Sequence, residues 1–253
     1  MASKKERKEE ARAQRLKKAE AERRRKRRNR LIYWGSGVLV VLLIAVFIVT
    51  QGAADKAASK KVADSISKLL AAAPADAKTA GCSKVSEVDP YSPPGRDHDH
   101  IGSGTSPTAP SLATYASLPA TSGPHDQAPQ DAGAYTTPPD VFKAIHSLEH
   151  GAVVFWYDPS TPPAALAADT AAVNKYLDHV VMAPYDYPGN GKASTLPTGT
   201  SFALTSWHKL QTCKLVPAPS VLVDFMSKYR WPTLGGGPFQ GSTDPKLEKG
   251  SPI

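Results

Sequence analysis

At 253 residues the chain can form one moderate domain with appendages, and 41% apolar content allows a real core. The formal charge of +8 would suit a nucleic-acid binder, but residues 1–30 hold 15 Lys and Arg against 5 Glu. The remaining 16 basic and 18 acidic residues leave the later part slightly acidic, which excludes a generally basic folded surface.

Residues 1–30 are rich in Ala, Glu, Lys and Arg and read as a basic cytoplasmic tail, a frayed or membrane-induced helix able to hold anionic lipid. A nucleic-acid arm fits less well, because the tail has no aromatic residue to stack on bases. Residues 31–50, LIYWGSGVLVVLLIAVFIVT, contain no charge and would rise about 30 Å as a helix, the thickness of a bilayer core. Tyr33 and Trp34 suit the headgroup level, and the basic run Arg23 to Arg28 keeps the N-terminus inside. The expectation is a cell-membrane protein with a single transmembrane helix and an extracytoplasmic C-terminal domain. A signal peptide cleaved near Thr50 is the rival reading.

Residues 51–80 predict a stalk helix or linker, with Val62, Ile66, Leu69 and Leu70 at helical spacing up to Pro74. The extracytoplasmic domain is expected over 81–233. Its first part, to about Pro139, is rich in Pro, Gly, Ser and Thr and predicts irregular loops. A helix begins after Pro138-Pro139-Asp140 and stops at Gly151, followed by the strand AVVFWY at 152–157. Pro162-Pro163 open a second helix to about Asp178, with Leu166, Thr170, Val173 and Leu177 on one face. Strands follow near His179–Ala183 and at 201–208, then a last helix from Pro219 to Arg230 covers the sheet with Val221, Leu222, Phe225 and Met226. This order predicts an α+β fold, a small mixed sheet with helices on one face, as in a split βαβ arrangement. A thioredoxin-like sheet is the second choice, without the Cys-x-x-Cys of thiol chemistry. Residues 234–253 predict a disordered tail.

The two cysteines, Cys82 and Cys213, both follow the expected membrane helix, where an oxidising compartment favours a disulfide. Closing so long a loop contributes on the order of 4 to 5 kcal/mol in the chain-entropy model.

Seven histidines, all beyond the expected membrane helix, include four in distinctive segments: DHDHIG from Asp97, TSGPH from Thr121 and HSLEHGAVVFWY from His146. Together with SFALTSWH from Ser201 these resemble the bacterial family of domain of unknown function 3105, over most of residues 81–231. The resemblance implies an anchored or exported extracytoplasmic domain and no particular activity. The chain departs from the family pattern at Leu118-Pro119-Ala120, where two prolines are usual. Of His98 and His100, the latter matches better because Ile101 follows it.

His146 and His150 are four apart, close enough to share an ion only if a helix reaches His150. Glu149 is then expected off that face, as an outer-shell partner or a base. His125 and His100 complete a candidate metal set with His146 and His150, suited to copper or zinc among the imidazole-binding metals. His-x-x-Glu-His is also the formal motif of inverted zinc proteases, but Gly151 and a strand follow at once and no third carboxylate is placed to ligate. The competing reading makes the histidines scaffolding for the loops of an accessory domain that binds a membrane-protein partner. His179 and His208 read as ordinary.

Overall fold

The computed structural model describes residues 60–231 except Pro94 and Gly104, together with Arg24 and Lys26. The expected transmembrane run 31–50 and the tail 234–253 lie outside the described residues. Among the described residues no helix is long and apolar enough to cross a membrane. Contacts divide the chain into two units, Met1–Lys61 and Val62–Ile253, and the fold below is that of the second.

The unit opens with helix α1 over residues 62–79. This helix is not a free stalk. Ile66 and Ala80 enter the main core, Leu69, Leu70 and Ala77 pack against it, and the Ser220 hydroxyl donates to Asp76 at 2.5 Å. Burying an isoleucine is worth roughly 1.5–3 kcal/mol, enough to dock a helix that the sequence alone makes look like a spacer. The helix also continues past Pro74, where its apolar stripe had seemed to end.

A six-stranded mixed sheet follows, in the order β1-β6-β5-β3-β4-β2. Its strands are β1 (Ser86–Glu87), β2 (Gly133–Ala134), β3 (Val153–Tyr157), β4 (Val180–Pro184), β5 (Phe202–Ser206) and β6 (Lys209–Cys213). The helices are α2 (Val141–Glu149), α3 (Pro163–Lys175) and α4 (Pro219–Tyr229). β3 and β4 pair directly and in parallel, so the βαβ unit around α3 is not split. β5 is antiparallel to β3, and β6 to β5. The βαβ unit of β3, α3 and β4 is followed by the antiparallel β5 and β6 and then α4.

Helices cover both faces, contrary to the expectation of one. Val153, Phe155 and Tyr157 face a core with Leu166 and Val173 of α3 and Val221, Leu222, Phe225 and Met226 of α4. Val154 and Trp156 face a second core with Ala144, Ile145 and Leu148 of α2, Leu112, Tyr115 and Trp207. Every residue of β3 is buried, as an uninterrupted apolar strand must be when both of its sides are covered.

Two expectations fail locally. Leu177, assigned to the buried face of α3, is exposed beyond the helix end, and Asp169 is buried in its stead. β6 was missed because KLQTC is half-exposed and polar; it forms because His208, at φ 56°, turns the chain back on β5. The expected disulfide joins Cys82 and Cys213, fastening the end of α1 to the end of β6.

Candidate metal centre

Three separate segments bring His100, His125, His146 and Glu149 together beside α2. The stretch from Asp97 to Ile101 runs beside Gly123 to His125. The amides of Gly123, His125 and Ile101 donate to the carbonyls of Asp97, Asp99 and His125 at 3.1, 2.9 and 2.7 Å. This short parallel pairing sets His100 against His125, with ring centroids 5.0 Å apart. His146 comes from α2, its ring 4.8 Å from that of His125 and 5.1 Å from that of His100.

Local chemistry explains TSGPH. Thr121 O accepts the His208 amide at 3.3 Å, and the Ser122 hydroxyl donates to Asp97 Oδ1 at 2.8 Å. Gly123 stands at φ +113°, and a Cβ there would meet Tyr91 at 2.7 Å and Tyr115 at 2.9 Å. Pro124 O accepts the Tyr115 hydroxyl. His125 is fully buried, with Nδ1 donating to Gly123 O at 2.8 Å.

HSLEHG is equally accounted for. Asp140 caps the start of α2 through the Phe142 amide, and His150 is the C-cap. Gly151 then takes φ +87°, its amide bonding Leu148 O and the Ala152 amide bonding Ser147 O, a Schellman closure. The Ser147 hydroxyl donates to Gln130 O and accepts the Gln130 amide, both at 2.9 Å, tying the preceding loop to the helix.

The donor atoms of His100, His125, His146 and Glu149 lie within 4.8 Å of one another. Glu149 thus takes the place that sequence reading gave to His150. On a helix both the third and the fourth residue onward share a face with the first, so Glu149, expected as an outer-shell partner, stands on the same side as His146. His150 instead stacks on His146, with their Nε2 atoms 2.7 Å apart.

The hydrogen bonding is asymmetric. His125 and His146 each spend Nδ1 on a backbone carbonyl, that of His146 on Asp126 O at 2.6 Å, which leaves His125 Nε2 against Glu149 and His146 Nε2 against His150. His125 Nε2 and Glu149 Oε2 are 3.0 Å apart but not aligned for a hydrogen bond. Among the described residues, those two atoms and His100 Nε2 are buried without a hydrogen-bond partner. An unpaired buried polar atom costs roughly 1–3 kcal/mol in a folded protein, a cost that the 3.0 Å contact of His125 Nε2 with Glu149 Oε2 offsets for those two. Burial pushes the Glu149 carboxyl up, but the contacts with His125 and His98 outweigh it and hold the group at about 2. Burial lowers the His146 imidazole, and the rings of His125 and His150 push the same way.

Around the donors stand residues that sequence reading passed over. His98 Nδ1 donates to Glu149 Oε1, and its ring lies on Trp207 at 5.2 Å. Asp97 accepts from the Tyr91 amide at 2.7 Å and meets His208 Nε2 at 2.7 Å. Asp97 and His98 lie in a turn closed by the Asp99 amide on Arg96 O at 3.3 Å, so strand alternation gave no signal for them.

Three imidazoles and a carboxylate suit a divalent metal of borderline hardness. Tetrahedral ligands at zinc stand roughly 3.4 Å apart, against the 4.8 Å within which these donors lie, so an ion would need them to draw together by about an ångström.

Comparison with protein families gives a match to the model described as protein of unknown function (DUF3105) over residues 109–243. A second model, described as an inhibitor of host cell division protein domain, matches residues 10–62. No curated protein and no solved structure matches the chain.

Proposed function

The chain belongs to the DUF3105 family, whose function is unknown, and from the geometry above we propose that it binds a divalent transition metal, zinc or copper(II), through His100, His125, His146 and Glu149. The observation that carries this is the gathering of the His100, His125, His146 and Glu149 donor atoms within 4.8 Å of one another, with His100 Nε2, His125 Nε2 and Glu149 Oε2 buried and, among the described residues, without a hydrogen-bond partner. Metal-binding histidines characteristically spend their second nitrogen on a carbonyl or carboxylate, as His125 and His146 do here. Four protein donors, three of them on buried residues, favour a closed centre for holding or handing on metal over a catalytic one with an open position. We place this domain outside the cell membrane, anchored by residues 31–50 with the N-terminus inside; the charge-free run and the disulfide support that placement.

The test is metal content of the purified full chain after exposure to Zn or Cu(II) and desalting. One equivalent per chain is expected, with a melting point raised by about 5–10 °C at metal a hundredfold above Kd. The absence of both bound metal and any shift in melting would sink the proposal. A second reading makes the histidines scaffolding in an accessory domain that binds a membrane-protein partner, and the contacts of His98 and His125 with Glu149 favour it. Under that reading His125→Ala destabilises the chain but added metal never stabilises it.

A further inference from the structure

The donors of the proposed centre belong mostly to buried residues, yet one side chain in contact with them does not. His98 keeps 50% of its side chain exposed while its Nδ1 holds Glu149 Oε1. Glu149 has two oxygens with different company: Oε2 faces His125, and Oε1 faces His98. A carboxylate that ligates through one oxygen needs the other restrained, or it rotates and the ligating oxygen leaves its place. The restraint here is itself positioned, because the His98 ring lies on Trp207, which also packs against His125 at 6.3 Å. Trp207 is almost wholly buried, so this support is fixed.

Resting on the metal reading above, we propose that His98 is the positioning residue that orients Glu149 toward the ion and stands between the centre and solvent, governing how fast metal leaves. Its imidazole N–H fixes Oε1, directs Oε2 at the ion, and covers the one carboxylate of the set. His98 itself is not a ligand. With it removed, Glu149 gains a rotamer that faces water, and release quickens.

The chemistry distinguishes the two ring nitrogens. The amide nitrogen of asparagine falls near the place of imidazole Nδ1, whereas that of glutamine falls near Nε2. The full chain loaded with Co(II) is mixed with excess EDTA and the loss of its visible absorbance followed by stopped flow, for the wild type and for His98→Ala, His98→Asn and His98→Gln. Release from the Ala and Gln chains is expected to be about 10–100-fold faster than wild type, with an altered Co(II) spectrum. The Asn chain is expected to return toward wild type in both readouts, which loss of packing alone would not produce. Should the Ala chain fail to fold, the Gln chain supplies the same arm. Ala and Gln chains as slow as wild type, or an Asn chain as fast as the Gln chain, overturn the role of His98 while leaving the metal site standing. A wild-type chain that takes up no Co(II) removes both.

Discussion

His146 Nε2 stands 2.7 Å from His150 Nε2, ring over ring, and two lone pairs cannot face each other at that distance. Since His146 Nδ1 donates to Asp126 O, its Nε2 is the acceptor and His150 the donor. An incoming ion competes with His150 for that nitrogen. His150→Ala should therefore bind metal with undiminished affinity, whereas His146→Ala should lose it. Titration of both chains with Zn checks this, and loss of binding in His150→Ala would return His150 to the ligand set.

Asp97 holds the loop that carries His98 and His100. Burial pushes its carboxyl up, but His208, the Tyr91 amide and the Ser122 hydroxyl outweigh this, so the group sits below the ordinary carboxylate range. A lowered folded value contributes stability above the unfolded value, and that stability is lost as pH falls through the folded one. Asp97→Asn should cost about 1–3 kcal/mol at neutral pH in urea unfolding, with the deficit shrinking in acid. An equal deficit at all pH values would deny the ionic part of the clamp.

Asp169 shows the opposite sign. Burial raises its carboxyl to about 7, and among the described residues its Oδ1 has no hydrogen-bond partner. A raised folded value leaves stability complete below the unfolded value near 3.8 and erodes it as pH rises through 7. The stability gap between Asp169→Asn and wild type should widen from about pH 4 to pH 7, then level, within a ceiling of about 4 kcal/mol. Parallel unfolding curves across that range would refute it.

Much of the fold was legible because it follows local rules. Pro163 and Pro219 open helices, Gly151 closes one, and Val153–Tyr157 makes the central strand. That apolar run also implied cover on both faces, an inference available from the sequence but not drawn. The short edge strands were not legible: Ser86–Glu87 and Gly133–Ala134 are held by partners, not by propensity. In the site, residue identity was informative and direction was not. Glu149 and His150 both neighbour His146 on α2, and only the arrival of the 97–125 loops decides which one meets the other histidines.

Gly151 serves the site from outside it. Its φ of +87° closes α2, and a Cβ would stand 2.3 Å from that of Trp231. Gly151→Ala should lose at least about 2 kcal/mol, combining left-handed strain with a clash that the Trp231 amide, bonded to Gly151 O at 2.7 Å, keeps from relaxing. Denaturant unfolding measures this, and a loss under half that size would mean that Trp231 gives way to the added methyl.

The Cys82–Cys213 bond has a topological effect beyond its stabilising one. Every segment that meets at the centre, from Asp97 to His208, lies between those two residues. The covalent structure there is a ring, not a line. A protease that cuts that ring once leaves a single molecule, and no donor drifts off on a released fragment.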